Sequence, residues 1–264
     1  MSKETENGTP QNSRLRRFIN GASKAVVEKI HEINPNITPN QITMTGAALS
    51  TVIALCFAGR EIHTDTSLAE RFAWGIPYAF FALTDLLDGA MARLYKEKGI
   101  ARTEKVDGNL MDSMIDRGTE TARGLARMAI AASHGNVLGL TTASLATITS
   151  ITSSLTRAYA ETQGVAVHEN GKNLFQMIGS YGGRMPLSSV ALFFPEVQPV
   201  IDGAISIATT AVAYDRFKSA RTQEPTLDQE FIQIAEQRAK LIGLASMANT
   251  TLAVSAFVAF PHIF

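Results

Sequence analysis

Two pairs of aspartates on either side of a basic stretch are the residues of this chain best placed to do chemistry. The first reads Asp85-Leu-Leu-Asp88-Gly89-Ala-Met-Ala92-Arg93, the second Gly108-Asn-Leu-Met-Asp112-Ser-Met-Ile-Asp116. Asp85 and Asp88 are three apart and Asp112 and Asp116 four apart, so on helices each pair occupies one face. Both pairs adjoin apolar stretches, where carboxylates cannot gather without neutralisation. Hard divalent cations supply it, because they take carboxylate oxygens together with substrate phosphates. The chemistry expected is therefore metal-bridged and phosphate-handling. For either pair alone, helix capping or pairing with Arg93 is a competing explanation. Two pairs with glycines at fixed offsets favour a site.

The elements that must hold these pairs read as helices of a membrane bundle. The chain has 264 residues and a formal net charge of zero, which gives no basic surface for nucleic acid. Its single cysteine, Cys56, excludes an internal disulfide and is expected in the core. Five histidines form no ligand pair at helical spacing, so a zinc site is not expected. Met1–Ser13 is polar, expected to be disordered, and lacks the pattern of a cleavable signal peptide. Residues 14–33 read as an amphipathic interfacial helix, with Ala22, Val26, Ile30 and Ile33 on the apolar face and Lys24 and Lys29 on the basic one. Apolar segments follow at Thr43–Gly59, at Phe72–Thr84 running on through Arg93, at Val137–Leu155, Met185–Phe194, Pro199–Tyr214 and Leu241–Phe264. The domain plan is a tail (1–13), the interfacial helix (14–33), a catalytic domain (34–222) and a C-terminal helical extension (223–264).

Mean hydropathy is only +0.06, low for a chain that crosses a bilayer. Charge placement argues the other way. Basic residues cluster at Arg93–Lys105, at Arg157, Lys172 and Arg184, and at Arg216–Arg221, while the alternate connections at 60–71, 133–136 and 195–198 carry few. That alternation predicts a cytosolic N-terminus and a cytosolic aspartate site. The third helix, from Gly108 to about Ala132, carries Arg117, Glu120, Arg123 and Arg127. Charges at that depth need partners, and the spacing suggests Glu120 as the intrahelical one.

The pattern DxxDGxxAR followed by GxxxDxxxD resembles the signature of the CDP-alcohol phosphotransferases, membrane enzymes of phospholipid synthesis. Asp85, Asp88, Gly89, Ala92, Arg93, Gly108, Asp112 and Asp116 fill every fixed position. Fourteen residues separate Arg93 from Gly108, a longer spacer than the family usually has. The resemblance implies an all-α bundle of six core transmembrane helices, with the N-terminal amphipathic helix and a C-terminal helical addition. It implies transfer of a phosphatidyl-type group from a CDP-linked lipid to a polar alcohol, with release of CMP. Asp85, Asp88, Asp112 and Asp116 would hold Mg²⁺, with Mn²⁺ as the alternative, and Asp116 would be the general base. Gly89, Arg93 and Thr103, with Asn40 and Thr43 from the segment Pro39-Asn-Gln-Ile-Thr43, would contact the CDP-lipid.

Asp116-Arg117-Gly-Thr-Glu120 and Arg157-Ala-Tyr-Ala-Glu161 are similar to segments of the branch that uses inositol phosphate. Glu120 and Tyr159 depart from that branch. The resemblance thus implies Arg117, Arg157 and Arg184 as acceptor-binding residues, since guanidinium forks suit phosphate. Arg157 and Arg184 as plain membrane-side anchors are the alternative. The expected partners are the CDP-lipid, the alcohol and the bilayer, without nucleic acid; a homodimer stays open. The expected location is the inner or plasma membrane, with the site facing the cytosol. Two rival classes stay open: an intramembrane prenyltransferase using Mg²⁺-diphosphate, and a non-catalytic cation-binding carrier.

Overall fold

Threonine, asparagine and proline set the helix boundaries. The structure, a computed structural model, describes residues 10–82, 84–100, 108–165 and 174–224, with helical positions at 229, 232–233, 235–237 and 239–240. Thr103 and the apolar segment at 241–264 lie outside the described residues. So do the side chains of 10–20, 85–86, 108–114 and 181–182, whose helical backbone is described. All regular structure among the described residues is helical, as expected.

Helix α1 (Pro10–Ile33) begins ahead of Arg14, so four residues of the expected polar tail, 10–13, are helical. Its buried face is Ser23, Val27 and His31, one helical position round from the face read in the sequence. Val27 packs with Ile42, Met91, Leu94 and Tyr95, while Val26 and Ile33 are 45% and 77% exposed. Of the basic residues, Lys24 pairs with Glu97 at 2.7 Å and Lys29 with Glu32 at 2.8 Å. Both pairs are exposed and contribute little stability.

Helix α2 (Pro39–His63) starts at a capping box. The Gln41 amide donates to the Thr38 hydroxyl at 3.3 Å, and the Thr38 amide donates to the Gln41 side chain at 3.0 Å. Two orphan donors are satisfied reciprocally, which fixes the turn that carries Asn40 and Thr43. The segment read as one helix from Phe72 through Arg93 is instead α3 (Leu68–Ala82) and α4 (Asp85–Glu97). The Thr84 amide and hydroxyl both donate to the Phe81 carbonyl, at 3.2 and 2.7 Å. That tight turn replaces the helical ladder and makes an elbow. Gly46 of α2 lies against it, so closely that a Cβ there would sit 2.8 Å from the Phe81 carbonyl oxygen and overlap Thr84.

Helix α5 (Gly108–Ser133) is central, packing on α2, on α6 (Val137–Thr162) and on α8 (Tyr181–Phe193). Ala126 and Ile130 of α5 join Ala54, Phe57, Tyr78, Leu192 and Phe193 in an apolar core. There the Phe193 ring meets Phe57 and Tyr78 with centroids 4.7 and 5.2 Å apart. This core lies towards the α5 C-terminus, leaving the aspartate end to polar residues. Helix α9 (Gln198–Thr222) runs along α6 through small residues, among them Ala143, Ala146, Ser150, Ala208, Thr209 and Ala213, which let the backbones approach closely. Short α7 (Leu174–Gly179) seats Gly179 so near α9 that a Cβ would lie 2.6 Å from Val212.

The arginines of α5 find partners on other helices as well as their own. Glu120 does meet Arg117, but Arg123 donates to the Tyr78 hydroxyl at 3.0 Å. Arg127 donates to Asp202 of α9 at 3.1 Å and to the Ser188 carbonyl at 3.3 Å. Arg184 and Arg216, read as loop charges, are buried inside α8 and α9. Apolar side chains face out: Phe72, Ile76 and Phe80 form one stripe on α3, and Val200, Ile207 and Tyr214 another on α9. Cys56, expected in the core, is also exposed. Among the described helices α2 alone is long and apolar enough to cross a membrane by composition, with a mean hydropathy of 1.8.

Candidate active site

The α2 N-terminus, the α3–α4 elbow and the first half of α5 meet at one cleft. Thr43 and Ser50 of α2, Thr84 of the elbow, and Asp116, Thr119 and Arg123 of α5 contribute its polar wall. Phe81 and Met185 close its apolar side. The capping box aims Thr43 inward, and its hydroxyl is hydrogen-bonded to the Asp88 carboxylate. Thr43 therefore joins the two motifs: it holds Asp88 and lines the cleft that Asp116 enters. Sequence reading gave Thr43 a nucleotide contact; its described partners are the Asp88 carboxylate and the Pro39 carbonyl, the latter at 3.3 Å.

Asp85 and Asp112 have helical backbones, and their side chains lie outside the described ones. Asp85 is three residues before Asp88 on α4, and Asp112 is four residues before Asp116 on α5, so the register puts each on its partner's face. Among the described residues no three candidate metal ligands gather; Asp88 and Asp116 are the described half of the set. Hard oxygen donors in a half-buried setting, one anchored by a hydroxyl, fit Mg²⁺ or Mn²⁺ and would not suit a soft metal. The described residues are compatible with the group the motif implies.

Gly89 follows Asp88 on α4. Among the described residues a Cβ there would meet only the Arg93 Nη1, at 3.6 Å. Arg93 is exposed and lines a groove between α4 and α1 with Lys24, Leu94 and Glu97. Asn40 sits half-buried in the first turn of α2.

The three expected acceptor arginines divide. Arg117 and Arg184 converge on Glu120: Arg117 Nη1 donates to Oε2 at 2.6 Å, and Arg184 Nε to Oε1 at 2.5 Å. Arg117 also reaches Ser154 of α6 at 2.6 Å, and Arg184 the Gly179 carbonyl at 2.7 Å. This knot ties α5, α6, α7 and α8 together beside Asp116, whose carboxylate is 3.9 Å from Arg117. Arg157 pairs instead with Glu161 of its own helix at 3.0 Å and is half-exposed. Sequence reasoning missed Ser50, Thr84, Thr119 and Arg123 as cleft residues. The signal for two of them was present: Thr119 and Arg123 follow Asp116 at i+3 and i+7.

Comparisons with known proteins bear on the family and the fold. Residues 36–212 match the sequence profile of the CDP-alcohol phosphatidyltransferase family. No curated protein matches the sequence. Among solved structures the chain resembles the phosphatidylinositol phosphate synthase of Mycobacterium tuberculosis in three states. The crystal structure with manganese and citrate superposes with a TM-score of 0.58 at 21% identity, over 78% of this chain and 92% of the other. The one with CDP-DAG bound gives 0.55 at 21%, over 81% and 98%. The apo form gives 0.52 at 23%, over 72% and 92%. At these identities the likeness establishes the fold. The profile match sets aside the prenyltransferase and carrier readings. It spans more than half of the sequence and both aspartate pairs, and this chain belongs to the CDP-alcohol phosphatidyltransferase family of enzymes.

Proposed function

We propose that this protein transfers a phosphatidyl group from CDP-diacylglycerol to a polar alcohol, releasing CMP, from within a membrane. The observation that carries this reading is the convergence of Asp88, through Thr43, and Asp116 on one cleft between α2, the elbow and α5. The similar M. tuberculosis synthase has been crystallised with manganese and with CDP-DAG, which supports a divalent metal and this donor. Asp85, Asp88, Asp112 and Asp116 would hold the ions, which when bound would neutralise the diphosphate of the donor.

The residues of the chain divide the remaining work. Thr43 orients Asp88, as a hydrogen-bonded partner orients a metal ligand. Arg93, one turn on from Gly89, forks onto a donor phosphate in this reading. Asn40 and Thr103 are further donor contacts in this reading. Asp116 takes the proton of the acceptor hydroxyl. The acceptor oxygen then forms its bond to the phosphatidyl phosphorus, the bond from that phosphorus to the bridging oxygen breaks, and CMP leaves with the electron pair. Arg117, Arg157 and Arg184 border the acceptor side.

Membrane residence is supported by the inverted surface. The interior of the bundle holds arginine, aspartate, serine and threonine, while α3 and α9 present exposed apolar stripes. Patches of that kind mark a lipid or protein contact. Six crossings, a cytosolic site, the interfacial α1 and a homodimer complete the proposal. The test is CMP release by detergent-purified protein supplied with CDP-diacylglycerol, Mg²⁺ and a panel of alcohols. Release should require one class of acceptor, vanish with EDTA and be abolished by Asp116→Asn in a folded, donor-binding protein. Full activity of Asp116→Asn would remove it as the base.

A further inference from the structure

Beyond the aspartate motif, α4 is clamped to the start of α2 by a residue the motif does not include. Tyr95 follows Asp88 by seven residues, so both stand on one face of α4, about 10 Å apart along its axis. Tyr95 is 6% exposed, and its hydroxyl donates to the Ile37 carbonyl at 2.8 Å while lying 3.2 Å from that of Pro35. Those carbonyls belong to the link between α1 and α2, directly ahead of the Thr38 cap. Five residues past that cap, the Thr43 hydroxyl meets the Asp88 carboxylate. Between the two polar contacts Met91 packs with Ile42 and Val27. The Tyr95 ring meets His31 of α1 edge-on, with centroids 5.8 Å apart. We infer that Tyr95 is a positioning residue for the metal site: its hydroxyl fixes the roll of α4 against the start of α2 and so sets where Asp88 is presented.

Roll is the motion that matters here. Helix α4 leaves the elbow at Thr84 and runs for 13 residues, about 20 Å. The elbow ties down its N-terminal end. The apolar contacts hold α4 close but are non-directional, whereas a hydrogen bond to a backbone carbonyl has a preferred angle. Side-chain tips lie about 5–6 Å from a helix axis, so a roll of about 10° carries a carboxylate by about 1 Å. Metal–oxygen distances are held to within about 0.2 Å, and Mg²⁺ demands near-octahedral geometry. Asp85, three residues before Asp88 on the same helix, moves with any such roll. The Lys24–Glu97 pair also joins α1 to α4, but it is exposed on both sides and constrains little. A phenylalanine at position 95 would fill the same space, which makes the hydroxyl the group to test.

This inference rests on the proposed metal site, and the experiment separates the two. Mn²⁺ binding to detergent-purified protein would be titrated by the EPR signal of the free ion, with CMP release and melting temperature measured alongside. Wild type should bind Mn²⁺, and Asp88→Asn should lose most of that binding. No binding, or binding unchanged in Asp88→Asn, would overturn the metal-site reading itself. Tyr95→Phe should raise the Mn²⁺ Kd by about 2- to 10-fold, the worth of one neutral hydrogen bond. The Mg²⁺ requirement for CMP release should rise in step. In a Thr43→Val background the same change should add less than about twofold, because both residues act on one carboxylate. Thr38→Ala loosens the same turn from the α2 side and should raise the Kd as well; it decides the matter if Tyr95→Phe fails to fold. An unchanged Mn²⁺ Kd in the folded variants, a lower melting temperature with metal binding intact, or full additivity with Thr43→Val would overturn the inference and leave Tyr95 a packing residue.

Discussion

Replacing Glu120 by glutamine should be among the most damaging isosteric changes available to this protein. Its carboxylate receives Arg184 through two contacts, at 2.5 and 3.2 Å, and Arg117 at 2.6 Å. All three side chains are under 10% exposed. Glutamine keeps the shape and one acceptor oxygen, but it turns an amide donor towards a guanidinium and leaves two buried positive charges without their shared counter-charge. Breaking a buried pair from one side costs about 3–5 kcal/mol, a large share of the roughly 5–15 kcal/mol that holds a typical domain together. At about 2–4 °C per kcal/mol for a chain of this size, the melting temperature should fall by some 6–20 °C. Fluorescence of Trp74, the single tryptophan and a neighbour of the apolar core, is the reporter, read in detergent at a fixed scan rate because unfolding need not be reversible. The control is Glu32→Gln, whose pair with Lys29 is exposed on both sides and whose loss should cost under about 1 kcal/mol. The double variant Glu120→Gln with Arg184→Met should recover part of the deficit, since it removes one stranded charge. If Glu120→Gln melts with the control, the knot is not what binds α5 to α8, and the reasoning from buried charge fails.

Two further substitutions test how the site is positioned. Thr43→Val removes the hydroxyl that holds Asp88 while keeping volume; the Mg²⁺ concentration for half-maximal CMP release should rise by about 10- to 100-fold, as for lost partners of metal ligands. Unchanged metal dependence would show that Thr43 does not orient that carboxylate. Gly46→Leu would push α2 off the elbow at Phe81 and Thr84, so turnover should fall by more than tenfold, since an ångström of misplacement costs about 100-fold in rate. Wild-type turnover in that variant would mean the elbow does not set the aspartate geometry.

The helical fold and the aspartate motif were legible because each rests on local information. Spacing at three and four residues, glycines at fixed offsets and the Thr38–Gln41 box declare themselves within a few positions. The elbow was not legible. Phe72 through Arg93 reads as one helical stretch, and the turn at Thr84 shows itself only with Gly46 pressed against it from another helix. The packing face of α1 was misjudged for a similar reason. Val26 and Val27 are equally apolar, and α4 decides which is buried. Cys56 was placed in the core on the habits of free cysteine, a rule drawn from proteins whose outside is water.

The arginines of α5 show why average hydropathy misleads here. Read alone, the helix is too charged to sit inside anything apolar, and the sequence supplies Glu120 as the nearest remedy. In the fold Arg123 reaches α3, Arg127 reaches Asp202 on α9, and Glu120 serves α8 as well as its own helix. Each of these charged side chains has a hydrogen-bond partner across a helix interface, so charges that lower the mean hydropathy lie where lipid would not meet them. The outward faces of α3 and α9 carry the apolar residues that a bilayer requires. A chain can therefore have a mean hydropathy near zero and still be built for a membrane, provided its polar residues face inward. In this bundle that inward polarity also surrounds Asp116, so the charges that obscured the fold in the sequence are the ones that shape the cleft.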